Sequence, residues 1–235
     1  MQLWKYIGVA IATVIILAAV ATALICGAVL YHWEFATDVE SVNRRLCEAV
    51  MRHDAKAVEA YLAGGADVGC HCRRTSRRVE QDWTTLLHKA AGDPDMMALL
   101  LSHGADPNGR NSLGETALWE VVRMSEGPME VRCARLLIDA GTDVNARENE
   151  YGSTAVHKAA SSDSLQCLRL LLEGGGNPNQ QDRNGNTPMH VAGSLTKRLR
   201  SQTVQILLDH GADPSLLNHS GDRADEPLPY LRNSQ

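Results

Sequence analysis

A segment of about 33 residues recurs along this chain, each copy opening near a threonine and ending its second half on a glycine. In the fullest copy, Asn186-Thr187-Pro188-Met189-His190-Val191-Ala192 leads to Val204-Gln205-Ile206-Leu207-Leu208-Asp209-His210-Gly211-Ala212-Asp213-Pro214. Thr85-Leu86-Leu87-His88-Lys89-Ala90-Ala91 leads in the same way to Leu99-Leu100-Leu101-Ser102-His103-Gly104. Thr116-Ala117-Leu118-Trp119 leads to Leu136-Leu137-Ile138-Asp139-Ala140-Gly141, and Thr154-Ala155-Val156-His157 to Leu170-Leu171-Leu172-Glu173-Gly174-Gly175. A unit this short cannot bury its own apolar face, so successive copies must stack into one continuous core.

The Thr-Pro-x-His-x-Ala core at Thr187 to Ala192, with this period, resembles the ankyrin repeat, and the resemblance covers about residues 41–226. It implies an all-α solenoid of helix-turn-helix units with β-hairpin fingers, in about five repeats with caps. The repeats fall near 41–69, 82–109, 113–146, 151–180 and 184–215, with a partial C-terminal cap at 218–226 and a tail at 227–235. The resemblance also places the first helices along a concave face, with the fingers beside them. Aromatic residues make up only 4% of the chain, with a single Phe, which suits thin helix pairs packed on Leu, Val and Ala. A net charge of −5 speaks against a general nucleic-acid binder, which carries a basic excess.

Ahead of the repeats, Tyr6 to Tyr31 carries no charged side chain over 26 residues. A bilayer core of ~30 Å needs about 20 residues of helix. The alternative is a cleaved signal peptide with Ala21-Thr22-Ala23 at its end. The apolar run, however, exceeds the ~7–15 residues of such a segment and continues past Ala23. The expectation is one transmembrane helix at 6–31, after a short tail (1–5) and before a linker (32–40), with Trp4, Tyr6, Tyr31 and Trp33 at the interfaces. Lys5 is the nearest flanking cation, and the other side carries none until Arg44. That places the tail inside and the repeats outside, in a bacterium in the periplasm.

Within the repeats, Thr85, Thr116, Thr154 and Thr187 are expected to N-cap first helices through their hydroxyls, with Pro188 pre-set for a helix start. Gly104, Gly141, Gly175 and Gly211 close the second helices. The first repeat, with helices near Val42–His53 and Ala55–Ala63, lacks the Thr and His and reads as an N-terminal cap. Gly221 to Glu226 reads as the opposite cap. Insertions fall at Ser125-Glu126-Gly127-Pro128 and Lys197-Arg198-Leu199-Arg200, both expected in turns between helices. The first finger is the longest. Gly65 to Thr85 covers 20 positions, against 12 from Gly104 to Thr116.

That finger holds Cys70-His71-Cys72 and then Arg73, Arg74, Arg77 and Arg78, with Trp83 at its base where other fingers have Gly114, Gly152 and Gly185. The arginines are either a solvated loop or an electrostatic contact for an acidic partner or anionic headgroups. Two thiols and an imidazole suggest a thiol-redox or metal-binding function, although zinc takes four ligands at wider spacing. His88, His157 and His190 share one register, and the resemblance gives them a structural role between adjacent loops. Trp119 replaces that His in the third repeat, either filling core space or serving as an exposed anchor. Cys133 and Cys167 are expected as small core residues, because packed helices ~8–10 Å apart exceed the reach of a disulfide. Cys47 lies on the cap helix.

The sequence shows no nucleophile, phosphate loop or metal set, so no enzyme activity, cofactor, metal or small-molecule substrate is expected. The expected function is a membrane-tethered module that binds another protein through its fingers and concave face. The expected contact residues are Arg73, Arg74, Arg77, Arg78, Trp83, Arg110, Asn111, Glu120 and Arg123. The layout is similar to membrane-anchored or exported bacterial ankyrin proteins that act as inhibitors or accessory proteins of a neighbouring enzyme. A cytoplasmic scaffold is the alternative if the orientation is reversed.

Overall fold

A computed structural model of the chain describes residues 39–73, 83–124, 127–162, 164–192 and 197–224. The chain divides into two compact units, Met1–Arg45 and Leu46–Gln235. Of the first, only residues 39–45 are described, and they are helical. The apolar run at 6–31 lies outside the described residues. Among those described, no helix is long and apolar enough to cross a membrane.

The second unit is an array of helix pairs. Helix α1 covers residues 39–51, its part from Leu46 onward belonging to this unit, and is followed by α2 (Ala55–Ala63). Two short strands, β1 (His71–Arg73) and β2 (Trp83–Thr85), then pair antiparallel. The remaining pairs are α3 (Leu86–Lys89) with α4 (Pro94–Ser102), α5 (Ala117–Arg123) with α6 (Pro128–Asp139), α7 (Ala155–Ala160) with α8 (Leu165–Glu173), and α9 (Pro188–Val191) with α10 (Lys197–Asp209). First helices pack on first helices (α3 on α5, α5 on α7, α7 on α9), and second on second (α4 on α6, α6 on α8, α8 on α10). One core cluster runs through the array from Leu46 to Ala224. Its fully buried large side chains are leucines, methionines and one isoleucine, with no aromatic among them.

Each second helix stops by the same geometry. Gly104 takes φ +84° and its N–H donates to Leu101 O, while Ala105 N–H donates to Leu100 O. This is the paired-bond helix end that a left-handed glycine makes cheap. It recurs at Gly65, Gly141, Gly175 and Gly211.

Two local expectations are corrected. Thr116 caps its helix directly, accepting from Trp119 N–H at 3.4 Å. Thr154 and Thr187 form capping boxes, in which the hydroxyl accepts from the backbone N–H of the histidine three residues on while that histidine's Nδ1 accepts from the threonine N–H. Thr85 makes no such cap, its hydroxyl lying 2.8 Å from His88 Nδ1. Lys197 to Arg200 also does not sit in a turn, since it forms the first turn of α10. In the first repeat α1 begins at residue 39, ahead of the expected start, and α2 matches its expected bounds.

Candidate protein-binding surface

Successive fingers are tied into one surface by three sets of bonds. The first is the histidine set. Nε2 of His88, His157 and His190 lies 3.0 Å from a carbonyl oxygen of the following finger, on Glu115, Asn186 and Asp222 respectively. A carbonyl cannot donate, so the ring proton sits on Nε2, and Nδ1 accepts from the threonine hydroxyl at 2.8–3.0 Å. The rings are therefore structural, as the resemblance implied. Burial pushes the His157 ring below its ordinary pKa.

The second set is an asparagine ladder that the sequence reading missed. Asn108 Nδ2 donates to Gly141 O, Asn145 to Gly175 O and Asn179 to Gly211 O, at 2.9–3.2 Å. Each Oδ1 accepts from the same neighbouring turn, at Asp143, Asn177 and Asp213 N–H, at 2.7–2.8 Å. The signal was present as an Asn at the same register in three repeats, but asparagine is so common in turns that it did not stand out. Gly69 holds this position in the first repeat, which accordingly has no such rung.

The third set runs along the finger tips. Ser112 N–H donates to Trp83 O, Asn149 N–H to Leu113 O, Arg183 N–H to Tyr151 O and His219 N–H to Asn184 O. Three consecutive fingers therefore present Trp83, Leu113 and Tyr151, which are 37%, 45% and 54% exposed. Trp83 also packs edge-on against His71, with ring centroids 4.4 Å apart. Leu113 and Tyr151 were not among the expected contacts. By bond pattern Trp83 takes the place of Leu113 and Tyr151, one position short of the glycine register expected for it.

The other expected contact residues divide. Arg73 ends β1 paired with Trp83, while Arg74, Arg77 and Arg78 lie outside the described residues. Arg110 sends Nη1 to Gly114 O at 2.9 Å and to Arg147 O at 2.7 Å, and Arg147 in turn bonds Gln181 O. These guanidinium groups bridge fingers through carbonyls. Asn111 is buried and holds its own turn, with Nδ2 on Glu115 Oε2 at 2.7 Å and Oδ1 accepting from Leu113 and Glu115 N–H. Glu120 and Arg123 form an ion pair on α5, with Arg123 Nε 2.9 Å from Glu120 Oε2. Glu120, Lys89, Asn111, His88 and Thr84 line a shallow depression on the first-helix side.

Trp119 meets neither expectation in full. It is half-buried, with the Lys158 ammonium 5.8 Å from the ring centroid. Its indole Nε1 has no hydrogen-bond partner among the described residues, so it does not replace the histidine bridge.

The cysteines also separate. Cys133 and Cys167 are buried and outside any disulfide, as expected of small core residues. Cys47 is not merely a helix residue, because it forms a disulfide with Cys72, Cα atoms 5.8 Å apart. No pairing within Cys70-His71-Cys72 is present. Adjacent residues of extended backbone face opposite sides, so His71 lies against Trp83 while the flanking sulfurs face α1. Among the described residues no cluster of three His, Cys, Asp or Glu could hold a metal. The Cys70 sulfur is 4.0 Å from that of Cys47, and burial pushes its thiol up to about 11.

The family model for ankyrin repeats (three copies) matches residues 46–148 and 129–218. The ankyrin repeat and SOCS box protein 6 of Homo sapiens is 36% identical over 197 residues, 75% of this chain and 45% of that protein. The nuclear factor NF-kappa-B p105 subunit of Gallus gallus is 32% identical over 176 residues, 72% of this chain and 16% of that protein. The mitochondrial disaggregase of Bos taurus is 30% identical over 194 residues, 80% and 26% respectively. The chain thus spans less than half the length of these relatives.

Proposed function

The chain belongs to the ankyrin repeat family, whose members are generally non-enzymatic protein-binding modules, and from that premise we propose that its first fingers capture an acidic partner protein. The observation that carries the proposal is the row of Trp83, Leu113 and Tyr151 on consecutive fingers. Large amphipathic rings at the centre of a contact supply most of its free energy, and flanking arginines select an acidic surface. Arg110 and Arg147 bond carbonyls across the fingers, which leaves their charge available to such a surface.

The apolar run at 6–31 tethers the module to a membrane, with the repeats on the extracytoplasmic side. The Cys47–Cys72 disulfide supports that side, since disulfides persist in oxidising compartments. A narrower role, as an inhibitor or accessory protein of a neighbouring enzyme, rests on the layout of a short anchored chain. The test is charge reversal of Arg73, Arg74, Arg77 and Arg78 in the full-length chain, used to capture partners at low and high salt. Capture falls and loses its salt dependence if the fingers bind; unchanged capture at low salt rules the first finger out.

A further inference from the structure

Three sulfurs meet at the start of the array. Cys47 and Cys72 join α1 to β1, and the sulfur of Cys70 stands 4.0 Å from that of Cys47. Cys70 and Cys72 are two positions apart, and side chains two apart in extended backbone leave by the same side. Both therefore face the same helix, and Cys47 is within reach of either. All three are nearly inaccessible, 7%, 7% and 2% exposed, so external thiols are held off while the internal one is in place.

We infer that Cys47, Cys70 and Cys72 form a disulfide-exchange site in which Cys47 is shared and bonds alternately to Cys72 and to Cys70. The step is self-contained. Cys70 loses its proton to solvent, its thiolate attacks Cys47 Sγ, and the Cys47–Cys70 bond forms as the Cys47–Cys72 bond breaks. Cys72 leaves as a thiolate and takes up a proton, so no oxidant or reductant is consumed. Because burial pushes the Cys70 thiol up to about 11, its thiolate is scarce at neutral pH and exchange quickens as pH rises. The consequence is positional. Cys72 is the middle residue of β1, opposite Thr84, whereas Cys70 precedes the strand. Exchange moves the covalent tether off the strand that bears the first finger and leaves the α1 end of the bond unchanged. The inference goes beyond partner binding and does not depend on it.

The test is thiol mapping of the full-length chain in detergent. After incubation at alkaline pH, the chain is quenched in acid, denatured and labelled with N-ethylmaleimide. It is then reduced, labelled with a second reagent and digested, and fragment masses locate the first label on Cys70 or Cys72. In a separate arm, Cys72→Ser and Cys70→Ser are reduced and then reoxidised side by side with oxidised glutathione. The expected result is first label on both residues in the wild-type chain, with a Cys47–Cys70 disulfide in Cys72→Ser. First label on Cys70 alone at every pH, or a Cys72→Ser chain that stays a dithiol while Cys70→Ser oxidises, overturns the inference.

Discussion

The junction between the first two repeats and the junctions between the third, fourth and fifth are closed by different chemistry. From the third repeat on, asparagine rungs cross each junction at both Nδ2 and Oδ1 and each finger tip bonds the next, while His157 bridges from the fourth repeat to the fifth. The first junction lacks the asparagine, because Gly69 stands in its place. It has a three-residue β ladder, the His53–Asp93 contact at 2.6 Å and the Cys47–Cys72 disulfide. The His71–Thr85 pair encloses a longer hairpin than Arg110–Thr116, fourteen positions against six. A regular repeat is held by many small, local and additive terms. The first junction concentrates its stability in one covalent bond, and the longer finger is built beside that bond.

The largest expected effect follows from that concentration. Cys47→Ser removes both pairings open to the first junction. For a loop of 25 residues it costs about 3.5 kcal/mol by the chain-entropy estimate. Denaturant unfolding of the full-length chain measures it, and a reductant should reproduce it in the wild type while leaving the mutant unmoved. If reductant shifts both equally, the disulfide is not what closes the junction. A smaller effect belongs to the regular region. Asn145→Ala loses the rungs to Gly175 O and Asn177 N–H, both solvent-exposed, and costs about 1 kcal/mol. It should raise amide exchange on both sides of that junction and not at the first. The smallest effect is a pH trend. The folded His157 ring titrates below its unfolded value, so the unfolded chain binds more protons in the interval between the two. Stability is then full above the unfolded value of about 6.5 and declines as pH falls below it. An unfolding series in pH, repeated with His157→Gln, checks this; an identical slope in both chains places the titration elsewhere.

How much of this was legible follows from how local each signal is. The glycines that close the second helices were readable, because a left-handed residue leaves its mark in one position. The histidine register was readable through the recurrence of Thr-x-x-His. The expected length of the first finger was readable as a spacing and is matched by the β1–β2 hairpin. Cys47–Cys72 was not, because its partners lie on a helix and a strand, and no spacing rule joins them. Trp83 was assigned by counting from Thr85, whereas the ladder shifts its backbone role by one position. Arg110 and Asn111 looked like surface residues by type, yet their side chains hold turns and fingers together.

The claim that function sits on the first fingers and not on the array as a whole is tested most directly by partner capture with two alanine variants of the full-length chain. Trp83→Ala removes the exposed ring at the first finger, and Leu217→Ala removes a more exposed apolar side chain, 53% accessible, at the far end. Trp83→Ala should weaken capture about tenfold or more, the size of a contact hot spot, with Leu217→Ala unchanged. Equal losses, or a loss only at Leu217, would contradict the account.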